Sequence, residues 1–280
     1  MIDAANDITW SAAMRELEDA RALLGSAHAG ITRQRVYTRW LDAQSRSTAL
    51  LHGWWAQTLD LEPVSEPRLV FSLDVDGVLE DEGAGFSSTG AAGAAALRLL
   101  QLGGVAVLLN TARSLRGVRE RVGTFRLLGG VSSFGAAYWD GVYAQEASLL
   151  SNRGADQLTA LRAILRADPE LVQDGHYQHS VRVSRIVDGA PCPLAGPDAR
   201  HLLQRHSLTD LTVWVAPEHT DFVDRSVDKG TGLLRLLDEL RLGDLPIAAM
   251  GDAACDIPML RLSTYAFLPA ATLPMYVPPR

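Results

Sequence analysis

The chain has 280 residues, a hydrophobic content of 47%, a charged content of 21% and a formal net charge of -7 at pH 7. This length is sufficient for one large domain, or for two ordinary domains with an extension, and the composition is that of a soluble globular protein. The acidic balance argues against a nucleic-acid partner, because binding to phosphates normally requires a basic patch or a basic excess.

Cysteine content and hydropathy indicate where such a protein acts. The two cysteines, Cys192 and Cys255, suit a reducing compartment better than a disulfide-stapled secreted fold. The amino-terminal segment lacks the pattern of a signal peptide, and no apolar run approaches the roughly 20 residues of a membrane span. The sequence therefore predicts a cytoplasmic protein without a membrane partner.

Residues 1–66 are expected to form an N-terminal helical extension. Apolar residues recur at helical spacing over 9–24 and 33–59, with a turn at 25–30, and the proline-containing run 62–67 predicts a linker. This segment is rich in tryptophan, with residues Trp10, Trp40, Trp54 and Trp55. Large aromatic side chains need a surface on which to be buried, so we expect packing on the main domain or a homodimer through these helices.

A short apolar run, residues 69–73, ends in the sequence Asp74-Val75-Asp76-Gly77. The run predicts a buried strand, and residues two apart in an extended chain face the same side. Asp74 and Asp76 would then converge at the strand tip, where two carboxylates repel each other unless a cation or a shared proton relieves them. The pattern indicates a site for a hard divalent cation, most simply Mg²⁺.

The next elements alternate as in a parallel α/β sheet. The pattern predicts helices over 87–102 and 115–128 and strands over 105–109 and 131–135. The strand over 105–109 ends in Asn110-Thr111-Ala112-Arg113. Ligands of open parallel sheets bind outside the carboxyl ends of the strands, so Thr111 is expected to share one crevice with Asp74 and Asp76.

Between about residues 139 and 216 the pattern changes to that of a small α+β insertion. Helices are predicted over 155–167 and 197–206, and strands over 180–187 and 211–215. Inserted domains of this kind commonly close over a substrate and exclude water. His176, His179 and Arg182 could face such a crevice, but at this spacing a surface or structural role is favoured.

The only lysine of the chain, Lys229, precedes a helix predicted to end near residue 240. All the other residues in the Lys plus Arg total are arginines. A compact ammonium is therefore expected to be specifically required at this position. Helix amino termini also attract anions, which makes a phosphate site credible. A further buried strand, 246–250, then leads into Gly251-Asp252 and, shortly afterwards, Asp256.

These motifs, in this order, resemble those of the haloacid dehalogenase superfamily. Asp74-Val75-Asp76-Gly77 is similar to its first motif, Thr111 to the second, Lys229 to the third and the segment 251–256 to the fourth. The resemblance covers about residues 67–275 and extends to the C2-capped, Cof-like sugar phosphatase branch, subfamily IIB. Ala112 stands where that branch usually has glycine, and Cys255 where asparagine is common.

The resemblance implies an α/β fold with a Rossmann-like parallel sheet core, an inserted α+β C2-type cap and an N-terminal helical extension. The extension would be 1–66, the core 67–139 with 217–280, and the cap 140–216. The implied activity is that of a phosphoric monoester hydrolase that requires Mg²⁺ and acts on a small phosphorylated metabolite such as a sugar phosphate.

The resemblance also implies a role for each motif residue. Asp74 would be the nucleophile that forms an aspartyl-phosphate, and Asp76 would protonate the leaving alcohol and then deprotonate water. Thr111, Ala112 and Lys229 would bind the phosphoryl oxygens.

Metal binding would fall to four aspartates. Asp74, the carbonyl of Asp76, and Asp252 would bind the Mg²⁺ ion, and Asp256 would orient metal-bound water or Lys229.

Three alternatives remain open from the sequence. A phosphomutase or phosphotransferase of the same superfamily would pass the phosphoryl group to a sugar hydroxyl instead of water. A non-catalytic sensor or assembly module would use the cap for ligand binding and the extension for a partner, but the intact acidic motifs argue against it. A calcium loop over 74–83 is disfavoured, because Leu79 occupies the position that requires glycine.

Overall fold

The computed structural model describes residues 4–26 and 31–269. The chain divides into two compact units, the first formed by Met1–Leu50 with Leu150–Ser226 and the second by Leu51–Leu149 with Val227–Arg280. Among the described residues, none of the helices combines the length and apolar character that a membrane span requires.

The described part of the chain contains both helices and strands. The helices are α1 (Ala4–Ser26), α2 (Ile31–Leu59), α3 (Ala91–Leu102), α4 (Leu115–Phe125), α5 (Asn152–Arg166), α6 (Gly196–Arg205), α7 (Lys229–Glu239) and α8 (Ile257–Leu262). The strands are β1 (Leu69–Leu73), β2 (Glu80–Asp81), β3 (Ser88–Thr89), β4 (Val105–Asn110), β5 (Gly129–Ser132), β6 (Ala137–Asp140), β7 (Gln145–Ser148), β8 (Leu171–Gln173), β9 (Val181–Val187), β10 (Ala190–Cys192), β11 (Leu211–Val215), β12 (Thr220–Asp224), β13 (Ile247–Met250) and β14 (Tyr265–Phe267).

The second unit contains a seven-stranded sheet in the order β14-β13-β1-β4-β5-β6-β7. Its first five strands are parallel, and β6 and β7 add an antiparallel edge. The strand β1 lies in the middle, with Leu73 opposite Met250 on one side and Leu109 on the other. This register brings the residues that follow β1, β4 and β13 to the same edge of the sheet.

Helices cover both faces of this sheet, which explains the continuously apolar strands. On one face α3 and α4 pack against β1 and β4, through a buried cluster that includes Leu97, Val118 and Leu109. On the other face α7 and α8 contribute Leu233 and Met259 to a second buried cluster. Strands covered on both sides bury every side chain, so an apolar run replaces the alternating pattern.

Several predicted element boundaries differ from the structure, and two of the differences have a clear physical reason. The helix predicted from residue 87 begins at Ala91, because Ser88 and Thr89 pair with β2 in a short antiparallel hairpin. The strand predicted over 131–135 ends at Ser132 and is followed by a turn of 3-10 helix, in which Phe134 has a φ of 61°. Gly135 has a φ of 102°, and a Cβ atom there would overlap the backbone of Asp228, so this turn requires glycine.

The first unit contains an antiparallel sheet in the order β10-β9-β12-β11, with β8 also paired to β9. The helices α5 and α6 bury Leu158, Leu161 and Leu203 against strand residues such as Val183 and Phe222. The predicted cap, 140–216, and this unit share residues 150–216. In the structure β7 extends the seven-stranded sheet, whereas β12 pairs with β9 and β11.

A buried ion pair joins the neighbouring strands β9 and β12 in the sheet of the first unit. The guanidinium of Arg182 donates to both carboxylate oxygens of Asp221 at 2.8 and 2.9 Å and lies over the ring of Tyr177. Burial alone would raise the pKa of Asp221, but Arg182 holds this pKa below its ordinary value. Arg182 therefore stabilises the sheet from within.

Residues 1–50 pack within the first unit. The Gln34 side chain donates to the carbonyl oxygen of Gln173 and accepts from its N–H group, each at 2.8 Å, and thus completes the edge of β8. Gly189 lies so close to Gly25 that a Cβ atom on Gly189 would approach the Gly25 Cα to 2.6 Å. Of the turn predicted over 25–30, residues 27–30 lie outside the described residues.

The tryptophans of the extension are divided between the units. Trp40 is 8% exposed, and its ring lies beside that of Tyr37 in the first unit, with 5.8 Å between the ring centroids. Trp54 and Trp55 belong to the second unit, where the indole N–H of Trp55 donates to the carbonyl oxygen of Thr89 at 3.0 Å. Trp40 and Trp55 therefore pack against residues of the same chain, whereas Trp54 is 38% exposed.

Candidate active site

Asp74 is held at the tip of the central strand β1. Its backbone N–H donates to the carbonyl oxygen of Met250 at 3.0 Å, and its carboxylate accepts from the N–H of Val75 at 2.7 Å. Only 5% of the residue is exposed. The neighbouring strands therefore fix both the backbone and the orientation of this carboxylate.

Lys229 lies at the first position of α7 and reaches Asp74 directly. The helix begins with a capping box between Asp228 and Thr231, which fixes the backbone of the first turn. The Lys229 ammonium nitrogen lies 2.9 Å from Oδ1 of Asp74 and is also hydrogen-bonded to Oδ1 of Asp256. The amide of Asn110 donates to the Lys229 carbonyl oxygen at 2.8 Å, which ties α7 to the end of β4.

Burial and the attraction between opposite charges both change the pKa values of Asp74 and Lys229. Burial raises the pKa of Asp74 to about 7, although the adjacent Lys229 acts to lower it. Burial alone would lower the pKa of Lys229, but Asp74 and Asp256 hold it above its ordinary value. The lysine therefore remains an ammonium, and any additional cation at the site would favour the carboxylate form of Asp74.

Asp252 and Asp256 follow β13 in a tight turn. Oδ2 of Asp256 accepts the N–H groups of Asp252 and Ala253 at 2.9 and 2.8 Å, while its Oδ1 faces Lys229. Asp252 lies against Gly77, which has a φ of 75°. A Cβ atom on Gly77 would overlap the Asp252 carboxylate, so glycine is required for this close approach.

The three aspartates offer a donor set suited to a hard divalent cation. Asp74, Asp252 and Asp256 can each contribute one oxygen, and these atoms lie within 4.8 Å of one another. Carboxylate oxygens are the ligands that Mg²⁺ prefers. Both oxygens of Asp256 already have protein partners, so Asp74 and Asp252 are better placed as ligands and Asp256 as an orienting residue.

Asp76 points away from this cluster toward Arg113. Its side chain is 54% exposed, and the Arg113 Nε lies 3.2 and 3.1 Å from the two carboxylate oxygens. Arg113 also donates to the hydroxyl of Ser87. No role for Arg113 is predicted from the sequence, although it lies two residues after Thr111.

Thr111 and Ala112 form the turn after β4. Thr111 is fully buried, its N–H donates to the Val131 carbonyl oxygen at 3.0 Å, and its hydroxyl accepts from the N–H of Arg113 at 3.2 Å. Ala112 is partly exposed. Because β4 neighbours β1 in the sheet, this turn lies at the same edge as Asp74.

A buried acidic residue, Glu80, lies next to these groups and was missed in the sequence. Arg121 donates to its two oxygens at 2.6 and 2.8 Å. Burial would raise the pKa of Glu80, but Arg121 and Arg113 lower it to about 2. In the sequence Glu80 opens the polar run Glu80-Asp81-Glu82-Gly83, which is typical of an exposed turn, so the pattern gave no signal of burial.

Comparison with known proteins is consistent with this arrangement. A family model described as haloacid dehalogenase-like hydrolase matches residues 200–268, a segment that contains Lys229, Asp252 and Asp256. The solved structure of protein 0175 from Thermoplasma acidophilum is similar to this chain, with a TM-score of 0.56 and 16% sequence identity. The similarity covers 74% of this chain and 86% of the other. This chain has the haloacid dehalogenase-like fold. The predicted fold class and the predicted resemblance are both confirmed.

Two further structures with the haloacid dehalogenase-like fold are phosphatases. A subclass IIB sugar phosphatase has a TM-score of 0.53 at 12% identity, with 71% of this chain and 86% of the other covered. A phosphatase of the superfamily from Bacteroides thetaiotaomicron has a TM-score of 0.50 at 17% identity, over 71% of this chain and 82% of the other. No curated protein gives a match. The family match and these neighbours agree in the haloacid dehalogenase-like fold.

Proposed function

We propose that this protein is a magnesium-dependent phosphatase that hydrolyses a small phosphorylated metabolite through an aspartyl-phosphate on Asp74. The observation that carries the proposal is the position of the only lysine, whose ammonium contacts both Asp74 and Asp256 beside the carboxylate of Asp252. A sugar phosphate is the proposed substrate class, because one neighbour of the same fold is a subclass IIB sugar phosphatase.

In the first half-reaction, an oxygen of Asp74 attacks the phosphorus and the bond from phosphorus to the ester oxygen breaks. Asp76 gives its proton to the departing alkoxide, which leaves as an alcohol. Lys229, the hydroxyl of Thr111 and the N–H group of Ala112 offer donors for the phosphoryl oxygens. Thr111 itself is fixed by its backbone bond to Val131, so this turn is preorganised.

In the second half-reaction, Asp76 takes a proton from water as the water oxygen attacks phosphorus. The bond from phosphorus to the Asp74 oxygen then breaks, which releases inorganic phosphate and restores the carboxylate. Splitting one difficult displacement into two steps lowers the barrier of each.

The charges of the site explain the proposed need for a metal. Asp74, Asp252 and Asp256 outnumber the single ammonium of Lys229, so a phosphate dianion would be repelled. Asp74, Asp252 and the carbonyl of Asp76 would hold Mg²⁺. When bound, the ion would offset these negative charges and polarise a phosphoryl oxygen. The unpaired cysteines, Cys192 and Cys255, are consistent with action in the reducing cytoplasm.

Phosphate release from a panel of sugar phosphates and p-nitrophenyl phosphate tests the proposal. We expect turnover that requires Mg²⁺ and is abolished by a chelator. The Asp74→Asn variant should retain its fold and lose turnover by several orders of magnitude. Undiminished turnover in this variant would contradict the role of Asp74, and transfer of phosphate to a sugar acceptor instead of water would identify a phosphotransferase.

Trapping of the intermediate provides a second test. With p-nitrophenyl phosphate, whose leaving group depends little on an acid, the Asp76→Asn variant should still form the aspartyl-phosphate. The group that activates water is lost in this variant, so the intermediate should persist. Mass spectrometry of the rapidly acidified protein should then find one phosphoryl group on the peptide that contains Asp74. A phosphoryl group on another residue would overturn the assignment of the nucleophile.

A further inference from the structure

Glu80 shares one Nη atom of Arg113 with Asp76, and its side chain is completely shielded from solvent. Its side chain has 0% exposure, yet it is surrounded by cationic groups. One Nη atom of Arg113 lies 3.1 Å from Oε2 of Glu80, while the Nε atom of the same guanidinium lies 3.1 Å from Oδ2 of Asp76. Arg113 therefore bridges a buried carboxylate and an exposed one.

Asp76, Arg113 and Glu80 form a row of ion pairs, and Glu80 at its buried end is held in place by several hydrogen bonds. Glu80 receives two hydrogen bonds from Arg121, and its own backbone N–H donates to the Val75 carbonyl oxygen at 2.8 Å. The loop between Val75 and Glu80 also closes through the N–H of Gly77, which donates to the Glu80 carbonyl oxygen at 3.1 Å. Side chain and backbone together fix Glu80 relative to the first motif.

The exposed end would be poorly fixed by itself. Ion pairs at the surface contribute only about 0–1 kcal/mol, since the loss of side-chain freedom offsets much of the attraction. The Arg113 side chain is 18% exposed and the Asp76 side chain 54%. Without Glu80, Arg113 would lose the anchor that keeps its guanidinium beside Asp76. A buried carboxylate restricts Arg113 far more than an exposed one can.

We propose that Glu80 is a positioning residue for the proton transfer between water and Asp76, acting through Arg113. Arg113 donates to both oxygens of Asp76 and so fixes the position of the carboxyl group that takes the proton from water in the second half-reaction. The Glu80 carboxylate is fully buried and contacts Arg113, Arg121, Ser87 and His52. Of these groups Arg113 contacts the Asp76 carboxylate, so the Glu80 side chain acts on that carboxylate through Arg113. The inference rests on the proposed phosphatase function.

The Glu80→Gln variant tests this role with p-nitrophenyl phosphate as the probe. Nitrophenolate is a good leaving group, so the first half-reaction depends little on a proton from Asp76, whereas the second still needs a base. We expect kcat to fall about tenfold or more while kcat/KM changes less than about threefold. A burst of one nitrophenolate per enzyme should precede the slow turnover. The matched control is Glu120→Gln, an exposed glutamate on α4 that should leave both constants unchanged.

A double variant covers the case in which Glu80→Gln fails to fold. Removing one partner of a buried pair is costly, whereas replacing both partners is often nearly neutral. The Glu80→Gln, Arg121→Met protein should therefore fold and show the same fall in kcat with the same burst. Combining Glu80→Gln with Arg113→Ala should reduce kcat no further than Arg113→Ala alone, because both changes disrupt the same path.

Three results would overturn the inference. These are an unchanged kcat in Glu80→Gln, an equal fall in kcat and kcat/KM without a burst, and additive effects of Glu80→Gln and Arg113→Ala. They differ from failure of the proposed function, in which the wild-type protein releases no phosphate from any probe or Asp74→Asn remains active.

Discussion

The Lys229 ammonium nitrogen lies 2.9 Å from Oδ1 of Asp74, and the two side chains are only 1% and 7% exposed. Asp256 supplies a second buried carboxylate to the same ammonium. Two negative groups that are shielded from water depend on one cation, so the stability of the site and its proposed chemistry rest on the same side chain.

We expect Lys229→Met to abolish phosphate release and to lower the free energy of unfolding by about 3–5 kcal/mol, because it leaves buried carboxylates without a partner. Lys229→Arg should also lose activity, since a planar guanidinium cannot replace a compact ammonium in this space, but should cost less stability. Urea unfolding and phosphate release measure the two effects. Full activity in Lys229→Arg would contradict the requirement for an ammonium.

Gly77→Ala should displace the Asp252 carboxylate and thereby weaken Mg²⁺ binding. Its φ of 75° is unfavourable for alanine, and the new Cβ atom would overlap Asp252. Gly85→Ala is the matched control, with a φ of 80° and no atom within 4 Å of the new Cβ. Both variants should lose about 1–2 kcal/mol of stability from the backbone. Only Gly77→Ala should need more than about tenfold higher Mg²⁺ for half-maximal activity.

His52 should make the protein less stable as the pH falls. Burial lowers its pKa from 6.5 to about 4, and its Nε2 accepts the N–H of Thr89 at 3.0 Å. The unfolded state therefore binds more protons than the folded state between these values. The stabilisation is complete above pH 6.5 and is lost as the pH falls toward 4, by about 3 kcal/mol.

Urea unfolding from pH 7 to pH 4.5 measures this effect in the wild type and in His52→Gln. Glutamine can still accept the Thr89 N–H but does not titrate, so the stability of the variant should fall less steeply with pH. Parallel curves for the two proteins would show that His52 titrates normally in the folded state.

The ion pair of Arg182 and Asp221 should be far more important for stability than an exposed one. Asp221 is 2% exposed, so Asp221→Asn leaves the Arg182 guanidinium buried without a counter-charge and should cost about 3–5 kcal/mol. The exposed pair of Arg116 and Glu120 provides the comparison, and Glu120→Gln should cost less than about 0.5 kcal/mol. Similar losses in both variants, measured by thermal unfolding, would contradict this contrast.

The sequence predicted the parts of the site that lie at strand ends. Asp74, Thr111 and Asp252 each follow an apolar run, and parallel strands necessarily bring their carboxyl ends to one edge. Lys229 was identifiable because it is the only lysine. These inferences depend on local pattern and on one general rule of sheet topology, so they needed no knowledge of side-chain packing.

Other features depend on contacts between distant segments and could not be predicted in this way. Glu80 and Arg121 look like ordinary surface charges in the sequence, and only their pairing makes burial possible. The sequence predicts helix at Ser88 instead of the observed hairpin, because the alanine-rich run that follows has strong helical propensity. The position of residues 1–50 beside 150–226 is likewise a property of tertiary packing.

The paired hydrogen bonds between Gln34 and Gln173 also affect how the protein behaves toward other molecules. An open strand edge is a template on which another chain can add a strand, and this leads to aggregation. The Gln34 amide reproduces the donor and acceptor of a neighbouring strand at Gln173, and so occupies the point where such an addition would begin. Helix α2, which carries Gln34, thus covers the edge of β8 at Gln173, where another strand would otherwise add.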